Sequence, residues 1–126
     1  MHEIAYCVSK DDSLNIQMPW PPSANRYWRY DGGRVHISDE ARAYRALIAK
    51  LNLFWRIPCL KGRLSLRILA YPPDKRKRDI DNLCKITIDS LQKARVFLDD
   101  CQIDLLFIER KEQFKDGKLE VQIFEQ

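Results

Sequence analysis

Lys75-Arg76-Lys77-Arg78-Asp79-Ile80-Asp81-Asn82-Leu83-Cys84-Lys85 opens with four consecutive cations, passes into two aspartates and closes on a lysine one helical turn later. Beyond it, Ile80, Leu83, Cys84, Thr87, Ile88, Leu91 and Ala94 recur near the helical period of about 3.6 residues, so the spacing predicts a helix from Asp79 to Ala94. Just upstream, Leu64, Leu66, Ile68 and Ala70 alternate with Arg63, Ser65, Arg67 and Leu69 in a strand pattern that Pro72-Pro73 stops. A strand, a basic loop and a helix in that order form the centre from which the remaining elements are placed.

Downstream, Val96-Phe97-Leu98 is a brief apolar run ended by Asp99-Asp100. Ile103 to Arg110 is a further strand, and Asp116-Gly117 turns the chain into Leu119, Val121 and Ile123 as a closing hairpin arm. Upstream, Ser38 caps a helix whose first turn holds Asp39 and Glu40, with Ala41, Tyr44, Ile48, Leu51 and Trp55 on one stripe and an end before Pro58. Arg42, Arg45 and Lys50 give its other face a basic character, as on an ordinary solvated helix. Tyr27 to Tyr30 and Arg34 to Ile37 read as a hairpin about Asp31-Gly32-Gly33, and residues 13–18 as a short strand stopped by Pro19-Trp20-Pro21-Pro22. The sum is an α+β fold: a single domain over residues 1–126, with a mixed sheet and the two main helices packed on one face.

Composition narrows the function classes. A chain of 126 residues with 45% hydrophobic and 32% charged residues suits one folded domain rather than a disordered or membrane protein. The start lacks a basic and apolar leader, and no apolar run nears the roughly 20 residues of a membrane span, so a cytoplasmic protein is expected. A net charge of +4 favours an anionic partner without compelling one. Cys7, Cys59, Cys84 and Cys101 form no CxxC pair and His2 and His36 lie apart, which argues against zinc and against a disulfide framework. No small-molecule cofactor is expected.

Asp79 and Asp81 share a face on extended chain but lie about 200° apart inside a helix, so they converge only if Asp79 precedes it. Taken alone, the pair reads as two residues that cap the helix and complement its positive end. Asp81, Lys85 and Asp89 follow at i, i+4 spacing, as in an exposed ion-pair ladder, and Asp99-Asp100 alone reads as a turn. Taken together, these carboxylates offer hard oxygen ligands suited to Mg²⁺ or Mn²⁺. Lys75, Arg76, Lys77 and Arg78 would bind phosphate beside them, unless the run is only a solvated loop. Metal plus cations is what phosphodiester hydrolysis requires, with Lys85 available to stabilise developing charge.

These residues resemble the RusA family of Holliday-junction resolvases. Trp20-Pro21-Pro22-Ser23-Ala24-Asn25-Arg26-Tyr27 is similar to the family's early Pro-Pro-Ser-x-Asn-Arg-Tyr signature. Arg78-Asp79-Ile80-Asp81-Asn82-Leu83-Cys84-Lys85 resembles its central Arg-Asp-x-Asp-Asn-x-x-Lys motif, and Leu98-Asp99-Asp100-Cys101-Gln102-Ile103 its Leu-Asp-Asp-x-Gln segment. The similarity runs from about Leu14 to Phe124; residues 1–12 form an extra N-terminal segment, and Arg95 stands where members often have glycine. The resemblance implies a homodimeric, Mg²⁺-dependent endonuclease that resolves four-way DNA junctions by paired symmetric nicks. It implies metal ligation by Asp79, Asp81 and Asp100, with Lys85 catalytic and Asp99 the ambiguous neighbour. Asn25 and Arg26, on a proline-stiffened loop, are candidate DNA contacts, while Tyr27 stacks on an opened base or packs. The rivals are a nuclease with broader branched-DNA or flap substrates and a junction-binding protein without catalysis.

Overall fold

The computed structural model describes residues 6–8, 13–23 and 27–126. In chain order its elements are β1 (Tyr6–Val8), β2 (Leu14–Pro19), β3 (Trp28–Asp31), β4 (Arg34–Ile37), α1 (Asp39–Trp55), β5 (Leu64–Tyr71), a 3₁₀ turn (Ile80–Leu83), α2 (Cys84–Lys93), a second 3₁₀ turn (Asp100–Gln102), β6 (Ile103–Arg110) and β7 (Lys118–Glu125). Five strands form one sheet in the order β1-β2-β7-β5-β6, in which β5 and β6 are parallel and the other neighbours antiparallel. The sheet is mixed and the fold α+β, as expected.

Alternation along three central strands builds the core. Leu14, Ile16 and Met18 of β2, Leu64, Leu66, Ile68 and Ala70 of β5, and Leu119, Val121 and Ile123 of β7 all point to one face and are buried. Register aligns them in rows: Ile16 lies opposite Val121, which lies opposite Ile68. Ala41, Tyr44 and Ile48 of α1 and Ile86 and Leu91 of α2 close over the same cluster. Each fully buried aliphatic side chain of this kind contributes about 1.5–3 kcal/mol relative to exposure.

Ser38 caps α1 as its sequence suggests, its Oγ accepting from the Ala41 N–H at 3.2 Å. Gly32 and Gly33 join β3 and β4 with positive φ at both positions, as a two-residue hairpin requires.

Three expectations change. The helix expected over Asp79 to Ala94 begins as a 3₁₀ turn, and its inward stripe runs through Leu83, Ile86, Thr87, Ser90 and Leu91. Ile86 and Ser90 take the place of Cys84 and Ile88, which are only partly buried, while Leu83, Thr87, Leu91 and Ala94 are buried as expected, the Thr87 hydroxyl donating to the Leu83 carbonyl at 2.6 Å. The closing hairpin is absent: β7 lies between β2 and β5, with β5 separating it from β6. Lastly, β1 adds a strand where none was expected, pairing Tyr6 with Ile16.

Two residues other than glycine end the helices in left-handed conformation. Arg56 follows α1 at φ 56°, and Arg95 follows the C-cap of α2 at φ 67°. The latter is the position where the resembling family often has glycine, the residue that takes this conformation without steric cost.

Between these ends, buried Asn52 ties α1 to α2, its Nδ2 donating to the Ala94 carbonyl at 2.8 Å and its Oδ1 accepting from the Ile57 N–H at 3.2 Å. Asn52→Ala strands both backbone groups and is expected to lower the unfolding free energy by about 1–3 kcal/mol in urea titration. An unchanged midpoint would mean that these bonds contribute nothing net.

Candidate active site

Asp74 organises the basic loop that follows β5. Its carboxylate accepts from the Arg76 N–H at 2.9 Å and from Arg78 Nη1 at 2.7 Å. The Arg78 guanidinium also lies 5.7 Å from the Trp20 ring, and Arg110 donates to the Arg78 carbonyl. Arg78 is therefore a pin holding the loop to the domain, whereas Lys75, Arg76 and Lys77 stand exposed. The Arg78 hydrogen bond, followed by that from the Arg76 N–H, holds the Asp74 carboxyl down at about 2. Reading the sequence missed Asp74; its spacing of two to Arg76 and four to Arg78 was the available signal.

Asp79 ends this loop in extended conformation, φ −90° and ψ 128°, at the N-cap of the 3₁₀ turn. It thus precedes the helix, the condition for sharing a face with Asp81. Its side chain makes no capping bond, so for Asp79 the alternative of a simple cap does not hold. Asp81 follows in the first turn, exposed. Among the described residues neither carboxylate has a hydrogen bond or ion pair. Asp79 lines two depressions, a cavity of about 370 Å³ shared with Trp20, Arg78 and Arg110, and a groove shared with Pro21, Ser23, Lys77 and Asn82. The early and central motifs, far apart in sequence, meet there. Asn25 and Arg26 lie outside the described residues.

Lys85 turns away from Asp81 and pairs with Asp89, Nζ to Oδ2 at 3.3 Å. The Tyr27 hydroxyl donates to the same oxygen. Tyr27 is buried and edge-on to Trp28 at 4.9 Å between ring centroids, so of its two readings it packs.

Gln102 sets the Asp99-Asp100 segment. Its Oε1 accepts from the Leu98 and Asp99 N–H groups, each at 2.8 Å, while its Nε2 donates to the carbonyls of Leu60 and Gly62. Asp99 caps the second 3₁₀ turn through the Cys101 N–H at 2.9 Å, which lowers its own carboxyl's pKa. The Asp100 carboxyl is raised, first by its hydrogen bond with Asp99, then by burial and the charges of Asp99 and Asp89, with Lys85 opposing.

The expected meeting of Asp79, Asp81 and Asp100 is not found within one chain. Among the described residues no three histidine, cysteine or carboxylate side chains come close enough to hold a metal ion. Topology is the reason. Asp79 and Asp81 stand where α2 is about to begin, whereas the Asp100 N–H bonds to Gln92 Oε1, in the helix's last turn, at 3.0 Å. The donors themselves fit a hard divalent cation in kind, being carboxylates, and those of Asp79 and Asp81 are uncommitted.

The geometry describes a mixed-sheet α+β domain with a pinned basic loop leading into free carboxylates. Comparison with known proteins agrees with it. Residues 19–124 match the family model described as Endodeoxyribonuclease RusA. The chain is 40% identical over 116 residues to the Crossover junction endodeoxyribonuclease RusA of Escherichia coli (strain K12), covering 90% of this chain and 96% of that protein. Proteins of the same name from Enterobacteria phage 82 and Shigella sonnei (strain Ss046) are also 40% identical, over 115 and 116 residues, with the same shares covered. This chain belongs to the RusA endodeoxyribonuclease family.

Because the Asp74 carboxyl titrates lower folded than unfolded, its contribution to stability is present above pH 3.8 and is lost as pH falls toward about 2. Asp74→Asn should flatten the stability profile across that window, measured by chemical unfolding at successive pH values. A profile parallel to that of the wild type would remove Asp74 as the loop's anchor.

Proposed function

We propose that this chain acts in the cytoplasm as a homodimeric, Mg²⁺-dependent nuclease that resolves four-way DNA junctions by paired symmetric nicks. The observation that carries this reading is the exposed Lys75, Arg76 and Lys77 running directly into the uncommitted carboxylates of Asp79 and Asp81. Support for the substrate comes from the 40% identity to proteins named crossover junction endodeoxyribonucleases. No described helix is long and apolar enough to cross a membrane.

Lys75 and Lys77 would hold backbone phosphate, Arg78 keeps the loop in place, and Asn25 and Arg26 are further candidate contacts. Asp79, Asp81 and Asp100 would hold the ion, which when bound supplies a polarised water and positive charge at the phosphate. Lys85 would offset charge developing on the phosphate oxygens.

The separation of Asp100 from Asp79 and Asp81 supports a dimer in which one copy supplies Asp100 to the other. β6 is suited to such contact. Among the described residues it has β5 on one side only, and Leu105 and Phe107 are 61% and 48% exposed along it. Antiparallel pairing of two β6 edges about a twofold axis sets the start of one strand, just after Asp100, against the end of the other. That end, at Arg110, borders the cavity lined by Asp79.

Asp79→Asn and Asp100→Asn should each abolish nicking of a synthetic four-way junction while leaving binding intact. Mixed, refolded heterodimers of the two variants should regain nicking at one intact composite site. A mixture as inactive as either parent would place all three ligands in one chain. Comparable rates on duplex, flap and RNA would replace junction selectivity with a broader nuclease, and undiminished incision by Asp79→Asn would sink the metal site.

For the basic loop, replacing Lys75 and Lys77 with alanine should flatten the slope of log affinity against log salt by up to about one unit per lost contact, without changing the thermal midpoint. Arg78→Ala should lower that midpoint as well. An unchanged salt slope in the double variant would leave these lysines without a phosphate partner.

A further inference from the structure

Lys85 has one carboxylate four residues before it, Asp81 in the 3₁₀ turn that leads into α2, and another four residues after it, Asp89 on α2 itself. For an isolated helix the acid-before-base order, Asp81 with Lys85, is the better pair. The structure shows the opposite choice: Lys85 binds Asp89, and Asp81 has no ion pair among the described residues.

The bias comes from what holds Asp89. Its side chain is 19% exposed against 58% for Lys85, so the aspartate is the fixed member of the pair. Tyr27, distant in sequence and itself buried, donates its hydroxyl to the oxygen that binds Lys85. Tyr27 in turn is fixed through its carbonyl, which accepts from the Ser38 N–H at 2.6 Å where α1 begins. Burial and the nearby Asp89 push the Tyr27 hydroxyl up to about 12, so it remains a donor across the working pH range. A partly desolvated carboxylate that has accepted one neutral donor still favours a cation, and Lys85 is the one it pairs with.

We propose that Asp89, anchored by Tyr27, is a positioning residue that draws the Lys85 ammonium away from Asp81 and so keeps the Asp81 carboxylate free for a divalent cation. This rests on the reading of Asp81 as a metal ligand. Without the anchor, Lys85 would swing back to Asp81 and compete with the incoming ion for the same oxygens. Asp89 and Tyr27 then act through Lys85 and touch neither ion nor DNA.

The test is a direct Mn²⁺ titration without DNA, read by electron paramagnetic resonance of the free ion, on the wild-type chain, Asp89→Asn, Tyr27→Phe, Lys85→Gln and the double variant Asp89→Asn/Lys85→Gln. Asp89→Asn should weaken Mn²⁺ binding roughly threefold to tenfold, the scale of changes beyond a metal's direct ligands. Tyr27→Phe, which preserves the packed ring, should shift it the same way by less. In the Lys85→Gln background, Asp89→Asn should have no further effect. A loss that persists in that background would show that Asp89 acts on the ion without Lys85, as a ligand or by its charge beside Asp100, and would overturn the proposal, as would unchanged Mn²⁺ affinity in both Asp89→Asn and Tyr27→Phe. If the wild-type chain binds no Mn²⁺, or Asp81→Asn binds it as well as the wild type does, the metal-site reading itself fails.

Discussion

β5 and β6 lie side by side and run the same way, and parallel neighbours cannot be joined by a tight turn. The chain must return along the sheet before β6 begins, and that return carries nearly all the chemistry of the molecule. It leaves β5 through the loop pinned by Asp74 and enters the helix at Asp79 and Asp81. It then presents Lys85 and Asp89 along α2, and re-enters the sheet through Asp99 and Asp100. An antiparallel β5–β6 pair joined by a short loop would remove the helix and the site together.

The same constraint gives the site its two ends. A crossover helix holds its first and last residues apart, with Asp79 and Asp81 before its start and the Asp100 N–H bonded to Gln92 in its last turn. What it gains is rigidity. Gln102 binds four backbone groups from a buried position, and Asn52 ties the end of α2 to α1. Asp100 is thus delivered at a fixed place beside β6, whose other side is open among the described residues.

Local reading of the chain succeeded where one element explains its own residues. Ser38 announced the start of α1, Gly32 and Gly33 announced the hairpin, and alternation marked β2, β5 and β7. It failed where a residue answers to a distant partner. Ile86 and Ser90 fall outside the stripe that the period marks yet lie inside, because the packing of α2 and not its composition chose the inward face. Tyr27 left two readings open, stacking on a base or packing, and only its burial with its hydroxyl on Asp89 decides for packing. Arg78 looked like one of four equivalent cations, but Asp74 and Trp20 give it a structural task that Lys75 and Lys77 do not share.

By itself, the sequence determined the fold class, the family and the identity of the charged groups, because periodicity and short motifs are properties of neighbouring residues. Only the tertiary structure decided that β6 pairs with β5 and not with β7, that Asp79 and Asp100 lie at opposite ends of one helix, and that Lys85 faces Asp89 and not Asp81. The physical reason is the same in each case. Strand order, helix rotation and the choice between two equally spaced carboxylates are settled by burial and by partners brought together from far along the chain, and no local pattern records them.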